Sequence, residues 1–264
     1  MACRASFTRW QASCSSHRRP ASATNRAEAT FKRFWKTVDI ESRSDGLAVT
    51  LDRRTLKTPS GNPLVIPLEK RLAATVIATE WENQEKEKVL KAHALPMTSL
   101  ASRVIDAARE ETTRSEIRTN LLKYLDTDTI CFHEDSPDAL VRLQDAHWKP
   151  LLAWIQNEFN VEIRVHHQLL GVAQPSETKT RFKEVLESLD EWQLAAMERA
   201  TYTTKSFLIA LALIHRRIDV EQAAQAAHVE VNSQIERWGE VEDTHDVDYH
   251  DVRRQLGSAA CLVS

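Results

Sequence analysis

Apolar and polar residues alternate with a period of about two from Trp35 to Ile66, and beyond that point apolar residues recur at helical steps. Trp35–Ile40 roughly alternates, and Ser44-Asp45-Gly46 has turn chemistry. Leu47–Leu51 comes next with period two and closes a hairpin. Asp52-Arg53-Arg54 marks a second turn before Leu56–Thr58, and Pro59–Pro63 a third before the short strand Leu64–Ile66. Four short strands form a meander that cannot bury both faces alone, so it must pack on the rest of the chain.

The chain beyond Leu68 reads as helix. Leu68–Leu90 carries Leu72, Val76, Ile77 and Trp81 on one face; a shorter helix with Leu100, Val104 and Ile105 comes after Pro96; Thr113–Leu125 carries Ile117, Leu121, Leu122 and Leu125. Thr127–His133 is a loop or short extended piece. Pro137–Phe159 is a long helix with Leu140, Leu143, His147, Leu151, Trp154 and Ile155 inward, kinked or broken at Pro150. Val161–Val165 is extended. Ser176 is the expected N-cap of a helix over 177–189, and further helices are expected over 191–202, 204–217 and 220–239. In the last, Val220, Ala224, Ala227, Val231, Ile235 and Trp238 form a continuous stripe, and Asp246–Leu256 forms a final helix. The pattern predicts an α+β fold: a small N-terminal β-meander module packed on helices, followed by a mainly α-helical C-terminal domain. The expected divisions are 1–30, 31–135 and 136–264.

Residues 1–30 have another character. They hold Arg4, Arg9, Arg18, Arg19 and Arg26 against the single acid Glu28, are rich in Ser and Ala, and contain no apolar stretch. That is the composition of a mitochondrial or plastid transit segment and not of a secretory signal. Its removal takes away five positive charges and one negative, so a formal net charge of −3 becomes −7. An acidic mature chain excludes a nucleic-acid binder on bulk charge and favours a basic or amphipathic partner. The longest apolar run, Phe207–Ile214, is too short for the roughly 20 residues that span a bilayer, so no membrane insertion is expected.

Chemistry is scarce. Five scattered Gly build neither G-x-x-x-x-G-K-[ST] nor G-x-G-x-x-G, so neither standard nucleotide loop is present. Four distant Cys offer no C-x-x-C, which argues against structural zinc and disulfides and fits a reducing compartment. The cluster from His245 to Asp251 (with Asp246, Asp248 and His250) has metal-ligand residue types, but its spacing does not converge on one helix face. It reads as a solvated acidic segment, with a small metal-dependent hydrolase as the enzymatic alternative. His166 and His167 point to opposite faces of an extended segment. Asp126 and Asp128 share a face if extended, though capping is their expected role, and Cys131 is expected to be a small buried hydrophobe. No catalytic, cofactor-binding or metal residue is therefore assigned. Seven Trp are the more informative feature. Trp238 is followed by Gly239, Glu240, Val241, Glu242 and Asp243, an aromatic beside acids just past a helix end, suited to docking on a basic, partly apolar surface.

Several separated segments then agree in order and spacing. These are Trp35-Lys36, Leu51–Leu64, Thr79-Glu80-Trp81, Pro96–Ala101 and Gln234–Glu240. Together they resemble the ATP synthase assembly factor 2 family, mitochondrial chaperones of the alpha subunit of the F-type ATP synthase, over about Trp35–His245. The resemblance implies a protein of the mitochondrial matrix with no catalytic activity and no cofactor; a monomer is expected. It also implies binding to the unassembled alpha subunit, preventing its aggregation and promoting alpha–beta hexamer assembly. On this reading Trp238, Glu240, Glu242 and Asp243 belong to the partner-binding surface and Trp81 is structural, wedging the β module against its first helix. A structural subunit that stays in a matrix complex is the further alternative. The sequence departs from the family pattern at Asp52-Arg53-Arg54, where Asp-Gly-Arg is usual, and beyond about Tyr249, where it matches weakly.

Overall fold

A computed structural model describes residues 32–86, 89–107, 110–167, 173–241 and 244–264. The leading segment 1–30 lies outside these residues. Four antiparallel strands, β1 (Val38–Arg43), β2 (Gly46–Leu51), β3 (Arg54–Thr55) and β4 (Val65–Ile66), come first, and eleven α-helices follow among the described residues. β2 is the centre of the sheet. β1 runs along one edge of it from Val38↔Leu51 to Arg43↔Gly46, while β3 and β4 share the other edge. All six residues of β2 are buried, and its one polar side chain, Thr50, donates its hydroxyl to the Asp39 carbonyl (3.4 Å). Gly46 has φ +143, and a Cβ there would lie 2.4 Å from the Ile66 carbonyl oxygen, so β4 can approach only a glycine.

The two-residue turn between β2 and β3 places Asp52 (φ 46) and Arg53 (φ 64) in the left-handed region. This is the primed geometry that matches strand twist, and it is formed here without glycine. The Asp52 carboxylate holds the turn by accepting the backbone N–H groups of Lys36 and Thr37, both at 2.9 Å, and these bonds keep its pKa below the ordinary carboxylate value.

α1 (Arg71–Glu82) packs on β1 and β2. It ends eight residues earlier than the pattern predicts, and its buried face is Ala73, Ala74 and Ile77, with Leu72 exposed. Two adjacent alanines let the helix backbone come close to the sheet, which a leucine in their place would prevent. Trp35 is buried with its ring 5.0 Å from that of Trp81 and donates its indole N–H to the Trp81 carbonyl (3.3 Å). Trp81 in turn donates to the Thr98 hydroxyl (3.0 Å). Glu80 accepts the N–H groups of Met97 (2.6 Å) and Thr98 (2.9 Å) and the Thr98 hydroxyl (2.7 Å), capping the next helix, α2 (Pro96–Ala107), from outside it.

α3 (Glu111–Lys123) leads into two short 3-10 turns. The long helix expected over 137–159 is two, α4 (Asp138–His147) and α5 (Lys149–Phe159), with Pro150 in the first turn of the second, where a missing N–H costs nothing. Trp148 at the break is fully buried and donates to the Ala226 carbonyl (2.7 Å). α6 (Ser176–Ser188) begins one residue earlier than expected. Ser176 lies inside the helix and caps nothing, its hydroxyl turned to Glu177. α7 (Glu191–Thr204) opens with a capping box of Asp190 and Gln193. α8 (Phe207–Ile214) is buried at all eight positions, within the core shared by α5, α7 and α9.

The helix expected over 220–239 is interrupted at His228, giving α9 (Val220–Ala227) and α10 (Val229–Trp238). The break rotates the stripe. Val229 and Ser233 become the buried positions of α10, and Trp238, at its end, is left outside. α11 (Thr244–Leu262) packs on α7, α2 and α9. Its C-terminal carbonyls are held by Lys70 Nζ on Leu262 (2.9 Å) and Arg216 on Val263 (2.9 Å), cations that also complement the helix dipole. Among the described residues no helix is long and apolar enough to cross a membrane.

Candidate functional site

Trp238 is the last residue of α10, and Gly239 (φ +85) turns the chain away from the helix. The Trp238 side chain is 70% exposed, with only the Arg237 guanidinium over its ring, 5.0 Å from the centroid. Beyond it the chain is folded back by two reciprocal bonds: Val241 N–H donates to His245 Nδ1 (3.0 Å), and His245 N–H donates to the Val241 carbonyl (3.2 Å). Val241 is 60% exposed, Val247 69% and Tyr249 46%. Four of the ten large hydrophobic side chains exposed among the described residues thus fall between 238 and 249, which separates this stretch from scattered surface apolars. Glu240 is exposed beside them, as is Asp246. Glu242 and Asp243 lie outside the described residues.

The surface stands on a fixed base. Arg142 on α4 reaches both carboxylate oxygens of Glu236 on α10 at 2.7 Å. His228 at the α9–α10 break is 3.0 Å from Asp248 on α11. Arg253 on α11 makes a two-point contact with Glu221 on α9, 2.7 Å each, while its guanidinium lies 3.3 Å from the Tyr249 ring centroid. The helix termini that present Trp238, Val241 and Val247 are therefore held by pairs that leave the apolar side chains outward. Sequence reasoning singled out Trp238 and Glu240 but not Val241, Val247 or Tyr249. Their signal was available only as the absence of a helical partner face.

The groups with catalytic residue types are occupied otherwise. His245 accepts from Val241, Asp248 faces His228, and Asp251 pairs with Arg254. Among the described residues no three His, Cys, Asp or Glu side chains are grouped to hold a metal. Asp126 and Asp128 do not form a pair. Asp126 bonds Lys179 (2.6 Å) and the Gln174 N–H (2.9 Å), whereas Asp128 is buried and accepts the N–H groups of Ile130 (3.3 Å) and Leu208 (2.9 Å) at the start of α8. Burial pushes the Asp128 pKa up to about 6. Burial also raises the Cys131 thiol far above its ordinary value, which removes it as a nucleophile. His166 pairs through its backbone with Cys131 and His133, and His167 turns to Asp135 (3.7 Å).

Comparison with known proteins gives the family. The family model described as ATP12 chaperone protein matches residues 32–156. The Schizosaccharomyces pombe protein named "Protein atp12, mitochondrial" is 34% identical over 242 residues, spanning 89% of this chain and 83% of that one. The Saccharomyces cerevisiae "Protein ATP12, mitochondrial" is 32% identical over 277 residues, spanning 90% and 85%. The crystal structure of Atp12 from Paracoccus denitrificans superposes with a TM-score of 0.75 at 29% identity, covering 88% of this chain and 97% of that one. The chain belongs to the ATP12 chaperone family, a family of chaperones and not of enzymes.

Proposed function

We propose that this chaperone acts in the mitochondrial matrix, where it binds the unassembled alpha subunit of the ATP synthase, keeps it from aggregating and promotes its assembly with beta into the hexamer. An alpha subunit that has not met beta exposes an obligate interface. Interfaces of that class are large and apolar, and exposed they aggregate. The observation that carries the reading is the exposed run Trp238, Val241 and Val247 flanked by Glu240, on helices joined by ion pairs, in a protein of a chaperone family. Trp238 is the apolar anchor. Glu240, with Glu242 and Asp243, supplies the acidic rim that steers a basic surface and sets the on-rate. Trp81 joins the β module to the helices that follow it.

The test is affinity isolation of this protein from mitochondria that have just imported labelled ATP synthase subunits. The expected result is recovery of alpha without beta; recovery of neither, or of finished complex, contradicts the proposal. Reversal of Glu240 and Asp243 to Lys is expected to slow association with alpha while leaving the melting temperature nearly unchanged.

A further inference from the structure

Between α2 and the loop joining β3 to β4 lies a groove of about 630 Å3. Trp81, Leu90 and Leu95 give it an apolar floor, and Lys57, Lys91 and Arg103 line it as cations. Its one carboxylate, Asp106, is spent on the opposite wall. It accepts from the Thr58 hydroxyl (2.6 Å), the Asn62 amide (2.8 Å) and the Ser60 N–H (3.2 Å), and so fastens the loop to α2. Arg103 is held by both oxygens of Glu198, at 2.5 and 2.7 Å. Lys57 and Lys91 are exposed and make no ion pair with any described residue. An apolar trough edged by two cations that no described carboxylate pairs is out of keeping with a chain whose net charge beyond residue 30 is −7.

We propose that this groove is a second client contact, taking a segment of the alpha subunit in which a large apolar side chain is flanked by carboxylates. The inference rests on the function proposed above and adds to it the chemistry of the bound segment. The sign of charge decides the occupant. A basic segment would meet Lys57 and Lys91 at close range with no free carboxylate among the described lining residues to answer it, whereas an acidic one is attracted, and Trp81 and Leu95 receive its apolar side chain. The groove and the Trp238–Glu240 surface then carry opposite charge. A client touching both is held in one orientation, because exchanging its two ends would place like charges together.

The test is the dissociation constant of the full chain with purified alpha subunit, for wild type, for Lys57→Gln with Lys91→Gln, and for Lys57→Glu with Lys91→Glu. Both lysines are exposed and make no ion pair with a described residue, so all three proteins should melt alike. The expected result is graded: a loss for the neutral pair and a weakening of at least about tenfold for the reversed pair. A reversed pair that binds within tenfold of wild type overturns the groove and leaves the proposed function standing. Absence of binding by the wild type overturns both. Sedimentation of the chain alone closes the remaining possibility: wild-type dimers that the reversed pair dissolves would make a second copy the occupant and overturn the proposal.

Discussion

Trp148 and Trp238 each sit at the end of a helix, yet one is fully buried with its indole N–H on the Ala226 carbonyl and the other leaves most of its ring in water. The difference separates stability from recognition at the level of single residues. Trp148→Ala should cost about 3–5 kcal/mol by opening a cavity and orphaning a buried carbonyl. Trp238→Ala should change stability by no more than about 0.5 kcal/mol, yet lose about 2 kcal/mol or more of client binding. Urea unfolding and a binding titration on the same two variants check both halves. Asp128 offers a second residue-scale test. Its pKa is about 6 in the folded chain against an ordinary value of 3.8, so the folded state holds the extra proton between these values. Stability from this group is therefore greatest in acid and declines as pH rises from about 4 to about 6, by on the order of 2–3 kcal/mol. Asp128→Asn, which keeps the shape and cannot ionise, should remove that part of the slope; unfolding free energies measured from pH 4 to pH 7 would show it.

At the scale of elements, three of the five segments that carry the family resemblance prove to be one structural joint. Trp35, Thr79-Glu80-Trp81 and Pro96–Ala101 are far apart in the chain, but Trp35 stacks on Trp81, Trp81 bonds Thr98, and Glu80 caps α2. Glu80→Ala leaves the first N–H groups of α2 without their acceptor and should lower stability by about 1–2 kcal/mol. Thermal unfolding is the check, and client affinity measured below the transition should stay unchanged. This scale also shows what could be read from the sequence and what could not. The first hairpin, the break before α5 and the apolar α8 were legible because turn residues, Pro150 and an unbroken hydrophobic run act locally. The face of α1 was legible at Val76, Ile77 and Trp81, which pack on the core, but not at Leu72: periodicity favours the large side chain, whereas close packing on the sheet selects Ala73 and Ala74. The interruption at His228 has no Gly or Pro to announce it. It is set by tertiary partners: a buried imidazole facing Asp248 and a Trp148 indole that seeks the Ala226 carbonyl just before the break. That interruption is also why Trp238 left the expected core stripe. The part of the candidate site hardest to read was thus created by a helix break. At the turn after β2, Arg53 takes the left-handed conformation that a glycine would favour, and Asp52 holds the hairpin through the backbone of Lys36 and Thr37.

For the whole molecule, one continuous hydrophobic core runs from Trp35 to Leu262, and Lys70 ties the region just after the sheet to the carbonyl end of α11. A body held at both ends in this way presents its surfaces at fixed separation, which suits a carrier that must hold a client and then release it whole. The central claim is that the client is an alpha subunit awaiting beta. Light scattering of purified alpha subunit diluted from denaturant, with and without an equimolar amount of this protein, tests it most directly. Scattering should be suppressed by the wild type and largely restored by Trp238→Ala. Equal scattering with and without the wild-type chain would contradict it.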